Sequence, residues 1–335
     1  MGTTFQLTRL AIFLGLLACA SPAFAIVTAG DDPNAGLVSY GETVDGVNLS
    51  GIVEITSSIG GCTGSLLTGG LSILTAGHCV STGYGSPIAT GITVYFQSSG
   101  GMVAATVLSV QVDPGYTGDS TQGSDLAILT LTQPAPSYDI GYSLYTSTAI
   151  PTSSVLLAGY GYGGDGDTGA NSAGYPFGTL REGSNVFEGD GADFFGWSSQ
   201  LLVGQLFQPC DSISQSTCPT NALDVSNPYW SSDESITSHG DSGGPAFYDG
   251  QIIGVTDLGI CLTSSSDSSD CATPPSVNAS NDSYFGEMFA DTSVADNLDF
   301  IEGVPEPGTI ALMICALVCL AGRRIVRRAL QKAGT

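Results

Sequence analysis

Basic side chains are nearly missing from this sequence of 335 residues. Seven Lys and Arg stand against 31 Asp and Glu, which gives a formal net charge of −24 at pH 7. Arg181 is the only Lys or Arg between residues 26 and 303, since the others are Arg9 and five residues of the C-terminal tail. A body this acidic repels nucleic acid and anionic membrane surfaces, so the charge argues against both as partners. It predicts either a surface kept acidic for solubility or long-range attraction of basic substrates.

Metal-binding patterns are also missing. The chain has only two histidines and no pair of cysteines separated by two residues, so we expect neither a zinc site nor another cofactor. Six of the nine cysteines lie in the body of the chain, and an even set behind an export signal is typical of disulfides formed in an oxidising compartment. The short spacings favour three pairs: Cys62–Cys79, Cys210–Cys218 and Cys261–Cys271.

The body has no long helical periodicity and no internal repeat. Short apolar or alternating runs recur between clusters of Gly, Ser, Asn and Asp, and this pattern predicts a β barrel or sandwich. The predicted strands are 51–56, 65–67, 72–74, 92–96, 103–112, 126–131, 155–160 and 251–256. One helix is predicted at 293–301, with Asp291 or Thr292 as its N-cap. The loops predicted at 161–178 and 262–283 are long, polar and rich in Gly or Ser.

The first 25 residues have the features of an export signal. Arg9 precedes an apolar run over 10–20, and Ala23 and Ala25 form an A-x-A cleavage pattern. The run is shorter than the ~20 residues that a membrane-spanning helix needs. We therefore predict a signal peptide over 1–25 that signal peptidase removes, with the mature protein beginning at the next residue.

Residues 304–335 form a second targeting segment. A Pro-Glu-Pro motif at 305–307 is followed by an apolar run over 309–322 and a basic tail over 323–335. Positive charge after an apolar segment holds that end in the cytoplasm. The order of parts resembles the PEP-CTERM sorting signal of Gram-negative bacteria, which implies recognition and cleavage by an exosortase-type membrane enzyme; the alternative is a plain membrane anchor. Either interpretation predicts that 26–303 is one domain outside the inner membrane, in the cell envelope or the extracellular space, with a transient or retained anchor.

Three short motifs carry the chemistry of an acyl transfer. A nucleophilic serine needs an imidazole base, a carboxylate that orients the base, and N–H donors for the oxyanion that develops. His78 lies in Leu-Thr-Ala-Gly-His-Cys, Asp125 opens the apolar run Leu-Ala-Ile-Leu, and Ser242 lies in Gly-Asp-Ser-Gly-Gly-Pro. Each motif alone has a structural explanation, but the three in this order resemble the trypsin/chymotrypsin family of serine proteases.

That resemblance covers most of the body and implies an all-β fold of two six-stranded antiparallel β barrels with a C-terminal helix. The active site is then in the crevice between the barrels. The family's pattern makes His78 the general base, Asp125 its orienting carboxylate and Ser242 the nucleophile. It assigns the oxyanion hole to the backbone N–H groups of Gly240 and Ser242. A disulfide that tethers the histidine loop in the family matches Cys62–Cys79.

The resemblance also implies a mechanism of activation. In the family, a freed N-terminal Ile-Val inserts into the body, and its ammonium pairs with the aspartate before the serine. The predicted signal cleavage exposes Ile26-Val27, and the matching aspartate is Asp241. A buried carboxylate without a cation is costly, so Asp241 needs a partner. We predict that signal peptidase itself produces the active enzyme; the alternative is that the dipeptide is a coincidence, since Thr28-Ala29 departs from the family's glycines.

Substrate specificity is only loosely indicated. The residue at the floor of the family's primary pocket matches Ile236 and not an aspartate, so we expect a small or apolar residue at the cleaved position rather than strictly Lys or Arg. His239 is expected on the pocket rim. Asp257 and Gly259 lie on the segment expected to bind substrate as an added strand, where Asp257 could offset a basic side chain. The first cysteine of a pocket disulfide that the family often has matches Ser238.

Two other functions compete with that of a monomeric endopeptidase acting on proteins or peptides. A surface protein could use the same scaffold only for binding, but all three motif residues are in place. A structural exopolymer protein should show repeats, and the sequence has none that convince. The loop at 164–169 could bind calcium through carboxylates and carbonyls, although its spacing is not that of an EF-hand and a solvated loop is the simpler account.

Overall fold

The structure is a computed structural model that describes nine segments of the chain. They are residues 26–29, 36–136, 139–166, 168–171, 173–206, 234–261, 276–277, 283–284 and 286–303. The predicted signal peptide and the predicted sorting segment, with its apolar run at 309–322, lie outside them. Among the helices of the described segments, none is long and apolar enough to cross a membrane.

Short strands separated by tight turns build this part of the chain, as its alternating pattern predicts. The strands of the first half are β1 (Ile26–Thr28), β2 (Thr43–Val44), β3 (Val47–Asn48), β4 (Ile52–Ser57), β5 (Gly60–Leu66), β6 (Ser72–Thr75), β7 (Thr93–Phe96), β8 (Val103–Val112) and β9 (Ala127–Leu131). Those of the second half are β10 (Val155–Gly159), β11 (Gly163–Asp165), β12 (Gly169–Ala170), β13 (Arg181–Asn185), β14 (Gly189–Asp190), β15 (Leu201–Gln205), β16 (Ser235–Ile236), β17 (Pro245–Tyr248), β18 (Gln251–Cys261), β19 (Ser276–Val277) and β20 (Met288–Ser293). The described helices are α1 (Gly191–Phe195), α2 (Leu298–Gly303) and 3-10 turns at 49–51, 77–79, 120–122 and 295–297.

The first half folds into a closed barrel of six strands in the order β4-β5-β6-β9-β8-β7. All neighbouring strands pair antiparallel. Alternate residues face the interior, so Val53 and Ile55 of β4 and Phe96 of β7 are fully buried in one apolar cluster. Each of the six runs predicted between residues 51 and 131 overlaps a strand of this barrel. The first predicted barrel is therefore confirmed.

A disulfide fixes one 3-10 turn to the barrel wall. Cys62 of β5 is bonded to Cys79 at the end of the turn at 77–79, with their Cα atoms 6.0 Å apart. Closing a loop over this separation of 17 residues restricts the unfolded chain, which typically stabilises a fold by about 3 kcal/mol. The predicted pairs Cys210–Cys218 and Cys261–Cys271 include residues outside the described segments and stay predictions.

The second half forms a sheet of eight strands where six were predicted. Seven run in the order β13-β10-β17-β18-β20-β15-β14, and β19 pairs with β18 outside this path. The neighbours pair antiparallel, and a register shift between Thr256 and Leu258 interrupts the pairing of β18 with β20. Within the described residues the sheet is not closed between β13 and β14, so the second closed barrel stays a prediction.

A separate sheet of four short strands has the order β12-β11-β1-β16. It contains β1, the residues that follow the predicted signal cleavage. All three residues of β1 are buried between a parallel β11 and an antiparallel β16. β11 and β12 form a hairpin inside 161–178, where a single long loop was predicted, because strands this short leave no alternating pattern. The carboxylate of Asp165 closes the hairpin by accepting the N–H and the hydroxyl of Thr168, both at 2.8 Å. This carboxylate of the candidate calcium loop is thus engaged in the turn, and Asp167 lies outside the described residues.

Helical structure follows β20 near the predicted range 293–301, but the α-helix begins only at Leu298 and the predicted cap is wrong. Asp291 and Thr292 are residues of β20, and a 3-10 turn after the strand continues into α2. The hydroxyl of Ser293 accepts the N–H of Asp296 at 3.4 Å. The strand therefore ends at Ser293, two residues before the 3-10 turn begins, and the N-cap of that turn is Val294, which makes no side-chain capping bond.

The two halves share one apolar core. Leu74 of β6 and Ile128 of β9 pack in the same cluster as Leu156 of β10, Phe247 of β17 and Val255 of β18. This contact fixes the first barrel against the second sheet. Residues at the ends of these strands therefore lie at the junction between the first barrel and the second sheet.

Candidate active site

His78 and Asp125 are held together by two neighbouring barrel strands. β6 leads into the turn at 77–79, and Asp125 stands just before β9, which pairs with β6. Nδ1 of His78 lies 2.6 Å from Oδ2 of Asp125, and the backbone N–H of His78 donates to Oδ1 at 2.7 Å. A Cβ atom at Gly77 would lie 2.8 Å from that Oδ1, so glycine permits the close approach. The carboxylate thereby fixes the ring and favours the tautomer with its proton on Nδ1.

Burial and pairing shift the pKa values of this pair in opposite directions. Burial lowers the pKa of His78, but the charge and the hydrogen bond of Asp125 raise it to above its usual value. Burial raises the pKa of Asp125, but the charge and hydrogen bond of His78, with a further hydrogen bond from Asp257, bring it below its usual value. The side chain of Asp125 is 0% exposed and that of His78 is 31% exposed. The carboxylate is therefore charged and shielded, while the imidazole is within reach of a substrate.

Ser242 sits on a tight turn pinned between the two sheets. Thr63 of β5 donates its N–H to the carbonyl oxygen of Ser242 at 2.9 Å, and Gly243 donates its N–H to Thr256 of β18 at 2.8 Å. Gly243 has a φ of +81°, and a Cβ atom there would lie 2.1 Å from a hydroxyl oxygen of β6, so only glycine fits. The side chain of Ser242 is partly exposed, and within the described segments no hydrogen bond joins it to His78. Such contacts commonly tighten only when substrate binds.

The N–H groups of this serine turn divide into two sets. Asp241, Gly243 and Gly244 donate theirs to backbone carbonyl oxygens at 2.7–3.0 Å. No acceptor in the described part of the chain takes the N–H of Gly240 or of Ser242. Gly240 has a φ of +100°, a conformation that side chains disfavour. The two N–H groups predicted to form an oxyanion hole are thus the two that remain available.

Thr63 holds the serine turn in place and was missed by the sequence analysis. Its hydroxyl donates to the carbonyl oxygen of Gly240 and accepts the N–H of Tyr160, both at 2.9 Å. It is fully buried on β5, next to Cys62. One threonine therefore joins the first barrel to the serine turn and to the residue that follows β10, and no motif in the sequence marks it.

Asp241 lies behind the serine turn, in a space left by glycines. Its Oδ1 accepts the N–H of Gly161 and its Oδ2 accepts the N–H of Ser238, both at 2.8 Å. A Cβ atom at Gly159 would lie 2.1 Å from Oδ1, so the carboxylate fills the space above that glycine. Burial raises the pKa of Asp241 to about 6, although the hydrogen bonds from Ser238 and Gly161 and the charge of Arg181 lower it. The group needs a positive charge to stay ionised.

Arg181 brings the only Lys or Arg side chain of the body to this carboxylate. It stands opposite Gly159 in the β13–β10 pair, so its side chain leaves the sheet on the face where Asp241 lies. The residue is 0% exposed, and its Nη1 donates to the carbonyl oxygen of Thr179 at 3.3 Å. Burial lowers the pKa of Arg181 to about 9, while the charge of Asp241 raises it. The sequence analysis missed this role, although a single basic residue in so acidic a body was the available signal.

Ile26 and Ile236 pack in one buried apolar cluster around β1. Ile236 pairs with Val27 in the β1–β16 ladder and is 0% exposed. A Cβ atom at Gly183 would lie 3.2 Å from Cγ2 of Ile26. Gly183 is two residues from Arg181, so Ile26 packs on the face of β13 that carries the arginine. The structure thus places Ile236 in a closed core, and no hydrogen bond joins Ile26 to Asp241 within the segments described.

The other residues predicted to form the substrate pocket lie apart. His239 is exposed, and its ring centre is 5.6 Å from that of Tyr162. Gly259 pairs with Phe289 in the β18–β20 ladder. Asp257 was predicted to face substrate, but it is buried and lies with the His–Asp pair, because the irregular pairing of β18 turns its side chain towards the first barrel.

Two groups of side chains in the described part of the chain are close enough to be considered for a metal ion. One contains His78 with Cys62 and Cys79, whose thiols are both used by the disulfide. The other contains His78 with Asp125 and Asp257, where the nearer ring nitrogen is already bonded to Asp125. Neither offers a free set of ligands, so we assign no metal to them.

A His–Asp pair at the rim of a closed barrel thus lies at the same junction as a serine turn with two available N–H groups. Residues 47–174 match the family model described as Trypsin. The match covers the whole first barrel with His78 and Asp125, and it ends before Ser242. It supports a likeness of this part of the chain to trypsin-like serine proteases. No curated protein matches the chain.

Proposed function

We propose that the protein is a serine endopeptidase that hydrolyses peptide bonds through an acyl-enzyme. The observation that carries this proposal is the contact of 2.6 Å between Nδ1 of His78 and Oδ2 of Asp125. With its proton on Nδ1, the neutral imidazole keeps Nε2 as an acceptor for the hydroxyl proton of a nucleophile. Ser242 presents a hydroxyl at the same junction.

Acylation uses four residues in fixed roles. Oγ of Ser242 attacks the carbonyl carbon of the scissile bond while Nε2 of His78 takes the hydroxyl proton. The oxyanion that forms receives hydrogen bonds from the N–H groups of Gly240 and Ser242. Asp125 stays ionised and stabilises the imidazolium. The imidazolium then gives its proton to the leaving amine, and the acyl group remains on Ser242.

Deacylation repeats these steps with water as the nucleophile. His78 takes a proton from water, the same N–H groups hold the second oxyanion, and Ser242 leaves with the returned proton. Donors fixed before the reaction need no reorganisation, and each typically contributes about 10²–10³-fold to turnover. Thr63, which holds the carbonyl oxygens of Gly240 and Ser242, keeps those donors in position.

A serine-directed fluorophosphonate tests the proposal. We expect one adduct on the wild-type protein by intact mass, and none on Ser242→Ala, because only an activated serine is acylated readily. Ser99→Ala, at an exposed turn of the first barrel, is the matched control and should label like the wild type. A folded wild-type protein that takes up no adduct would point instead to a binding protein on this scaffold.

We also propose a preference for small or apolar residues at the cleaved position. The support is that the carboxylate of Asp257 is buried and occupied beside Asp125, which leaves it unable to pair with Lys or Arg of a substrate. His239 and Gly259 are proposed to border the substrate. Sequencing the products of a mixed peptide pool measures this preference, and cleavage only after Lys or Arg would contradict it.

We propose that the chain is exported, cut after Ala25 and sorted through its Pro-Glu-Pro segment to the envelope or the extracellular space. The new N-terminus is proposed to assist Asp241. Two observations support this: β1 is buried on the face of β13 that carries Arg181, and Ile26 has a φ of +65°. That angle is strained for a β-branched residue. Cleavage before Ile26 abolishes this torsion, since the angle depends on the preceding carbonyl carbon.

Ile26→Gly is expected to lower activity strongly, because it removes the apolar contacts that hold the new N-terminus in place. Ile26→Val, which keeps most of these contacts, is the matched control and should stay close to wild type. Hydrolysis of a chromogenic peptide by the two processed variants gives the comparison. Full activity of Ile26→Gly would show that insertion of the N-terminus is not required.

A further inference from the structure

Asp257 is a third acidic group beside the His78–Asp125 pair. The ligand atoms of the three side chains lie within 4.8 Å of one another. Asp257 is on β18, where its pairing with β20 is irregular, and it is 4% exposed. Two buried carboxyl groups this close cannot both be ionised without a large cost in free energy. One of the two is therefore expected to hold a proton.

The hydrogen bonds show which of the two it is. Asp125 accepts three: the N–H of His78 at 2.7 Å, its Nδ1 at 2.6 Å and the hydroxyl of Ser120 at 3.1 Å. Asp257 accepts the hydroxyl of Thr292 at 2.8 Å on Oδ2. Its Oδ1 is buried and has no donor in the described part of the chain. A proton on Oδ1 supplies the missing bond, because a carboxylic O–H can donate to Asp125.

We propose that Asp257 carries a proton near neutral pH and donates it in a hydrogen bond to Asp125, so that the two carboxyl groups share one negative charge. Asp257 is then a positioning residue. It does not touch substrate, and it acts by holding Asp125 in the orientation that fixes the imidazole of His78. This inference rests on the peptidase function proposed above.

Burial of Asp257 favours its neutral form. Burial, followed by the charge of Asp125 and the hydrogen bond to it, holds the pKa of Asp257 well above the usual range, although Thr292 and Ser120 lower it. The same hydrogen bond lowers the pKa of Asp125. The two values move apart, as they must when one proton is shared by two carboxyl groups.

The titratable groups that face Asp257 come from three elements of the fold. Besides Asp125, which precedes β9, they are His78 on the turn at 77–79 and Tyr116 in the loop after β8. Burial raises the pKa of Tyr116, and the two carboxyl groups raise it further, so the phenol stays neutral. The only Arg or Lys of the body, Arg181, is placed beside Asp241. No fixed cation is therefore available to keep a second carboxylate ionised.

Two pH limits on turnover follow. Turnover rises as the pH passes the pKa of His78, because only the neutral imidazole is a base. Turnover falls again as the pH passes the pKa of Asp257, because loss of its proton puts two negative charges side by side and removes the hydrogen bond to Asp125. The alkaline fall is the signature of the proposed pair.

Asp257→Asn keeps the hydrogen bond and removes the titration. Its amide N–H can donate to Asp125, and its oxygen can accept from Thr292. We expect kcat at neutral pH close to that of the wild type, without the alkaline fall. Asp257→Ala removes the donor, and kcat should drop roughly 10- to 100-fold with little change in KM. An unchanged alkaline fall in Asp257→Asn, or full kcat in Asp257→Ala, would overturn the proposal.

Asp291→Asn is the matched control. Burial raises the pKa of Asp291 to about 8, although a hydrogen bond with Thr256 lowers it, so this group is another source of an alkaline fall. It precedes Thr292 on β20 and faces the other side of the strand, where a Cβ atom at Gly254 would lie 2.8 Å from its Oδ2. The control is expected to keep the alkaline fall. If Asp291→Asn abolishes it, the titration belongs to Asp291 and the proposal is wrong.

Infrared spectroscopy separates this inference from the peptidase function. Ser242→Ala cannot turn over substrate, yet it should show the carbonyl stretch of a buried carboxylic acid that is missing from Ser242→Ala/Asp257→Asn. Lack of this difference band would overturn the protonated pair, whatever the activity. If the band is present but the wild-type protein takes no fluorophosphonate, the pair stands and only the peptidase function fails.

Discussion

Asp125→Asn is expected to lower turnover by about 10⁴-fold while the chain still folds. An amide at this position can present N–H to Nδ1 of His78, which favours the tautomer with the proton on Nε2. That tautomer has no acceptor for the hydroxyl proton of Ser242. The measurement is kcat on a peptide ester for both proteins, with the midpoint of urea unfolding as the check on the fold.

The control for this substitution is Asp119→Asn. Asp119 is exposed and caps the 3-10 turn at 120–122 by accepting the N–H of Thr121 at 3.0 Å. The Asp119→Asn substitution removes the same charge as Asp125→Asn in the same part of the chain. Turnover should stay within a few-fold of wild type. Near wild-type turnover of Asp125→Asn would show that His78 obtains its orientation from another group.

Arg181→Met is expected to lower the free energy of unfolding by about 3–5 kcal/mol, because it leaves Asp241 buried without its cation. Methionine keeps much of the apolar stem of arginine, so the lost charge dominates the change. Asp241 also holds the turn that carries Ser242, so the rate of fluorophosphonate labelling should fall as well. Denaturant unfolding gives the first quantity, and intact mass against time gives the second.

The double variant Arg181→Met/Asp241→Asn separates lost charge from lost packing. Removal of both charges should recover much of the stability, since a buried pair is often replaceable by neutral groups. Labelling should stay slow, because the amide no longer holds the serine turn as the carboxylate does. If Arg181→Met alone is as stable and as reactive as wild type, the ammonium of Ile26 is sufficient to neutralise Asp241.

The first barrel could be predicted from the sequence because its strands are long enough to show their pattern. The run 103–112 is β8 to the residue, and 155–160 and 251–256 each begin where a strand begins. The His–Asp contact could also be expected, because the motifs around His78 and Asp125 resemble those of the trypsin/chymotrypsin family. In these segments local pattern and tertiary structure agree.

Four short strands near the serine turn could not be predicted, because each has only two or three residues and shows no alternating pattern. β1, β11, β12 and β16 are defined by their pairing alone. The roles of Arg181 and Asp257 depend on which distant residue each one meets, Gly159 across the β10–β13 pair in one case and Asp125 in the other. No spacing in the sequence indicates these contacts. The roles of Arg181 and Asp257 in setting the charge of the site could therefore be found only from the structure.

The burial of Arg181 gives the folded body a built-in reporter. An endopeptidase that cuts only after Lys or Arg has a single bond to attack between residues 26 and 303, the one that joins Arg181 to Glu182. Both residues pair with β10, and the arginine is buried, so this bond is protected from cleavage in the folded protein. Cleavage therefore has to wait until the strand pair opens, and the appearance of two fragments counts those openings. The buried Arg181, which neutralises Asp241, therefore also lets cleavage at one bond report the rate at which the body opens.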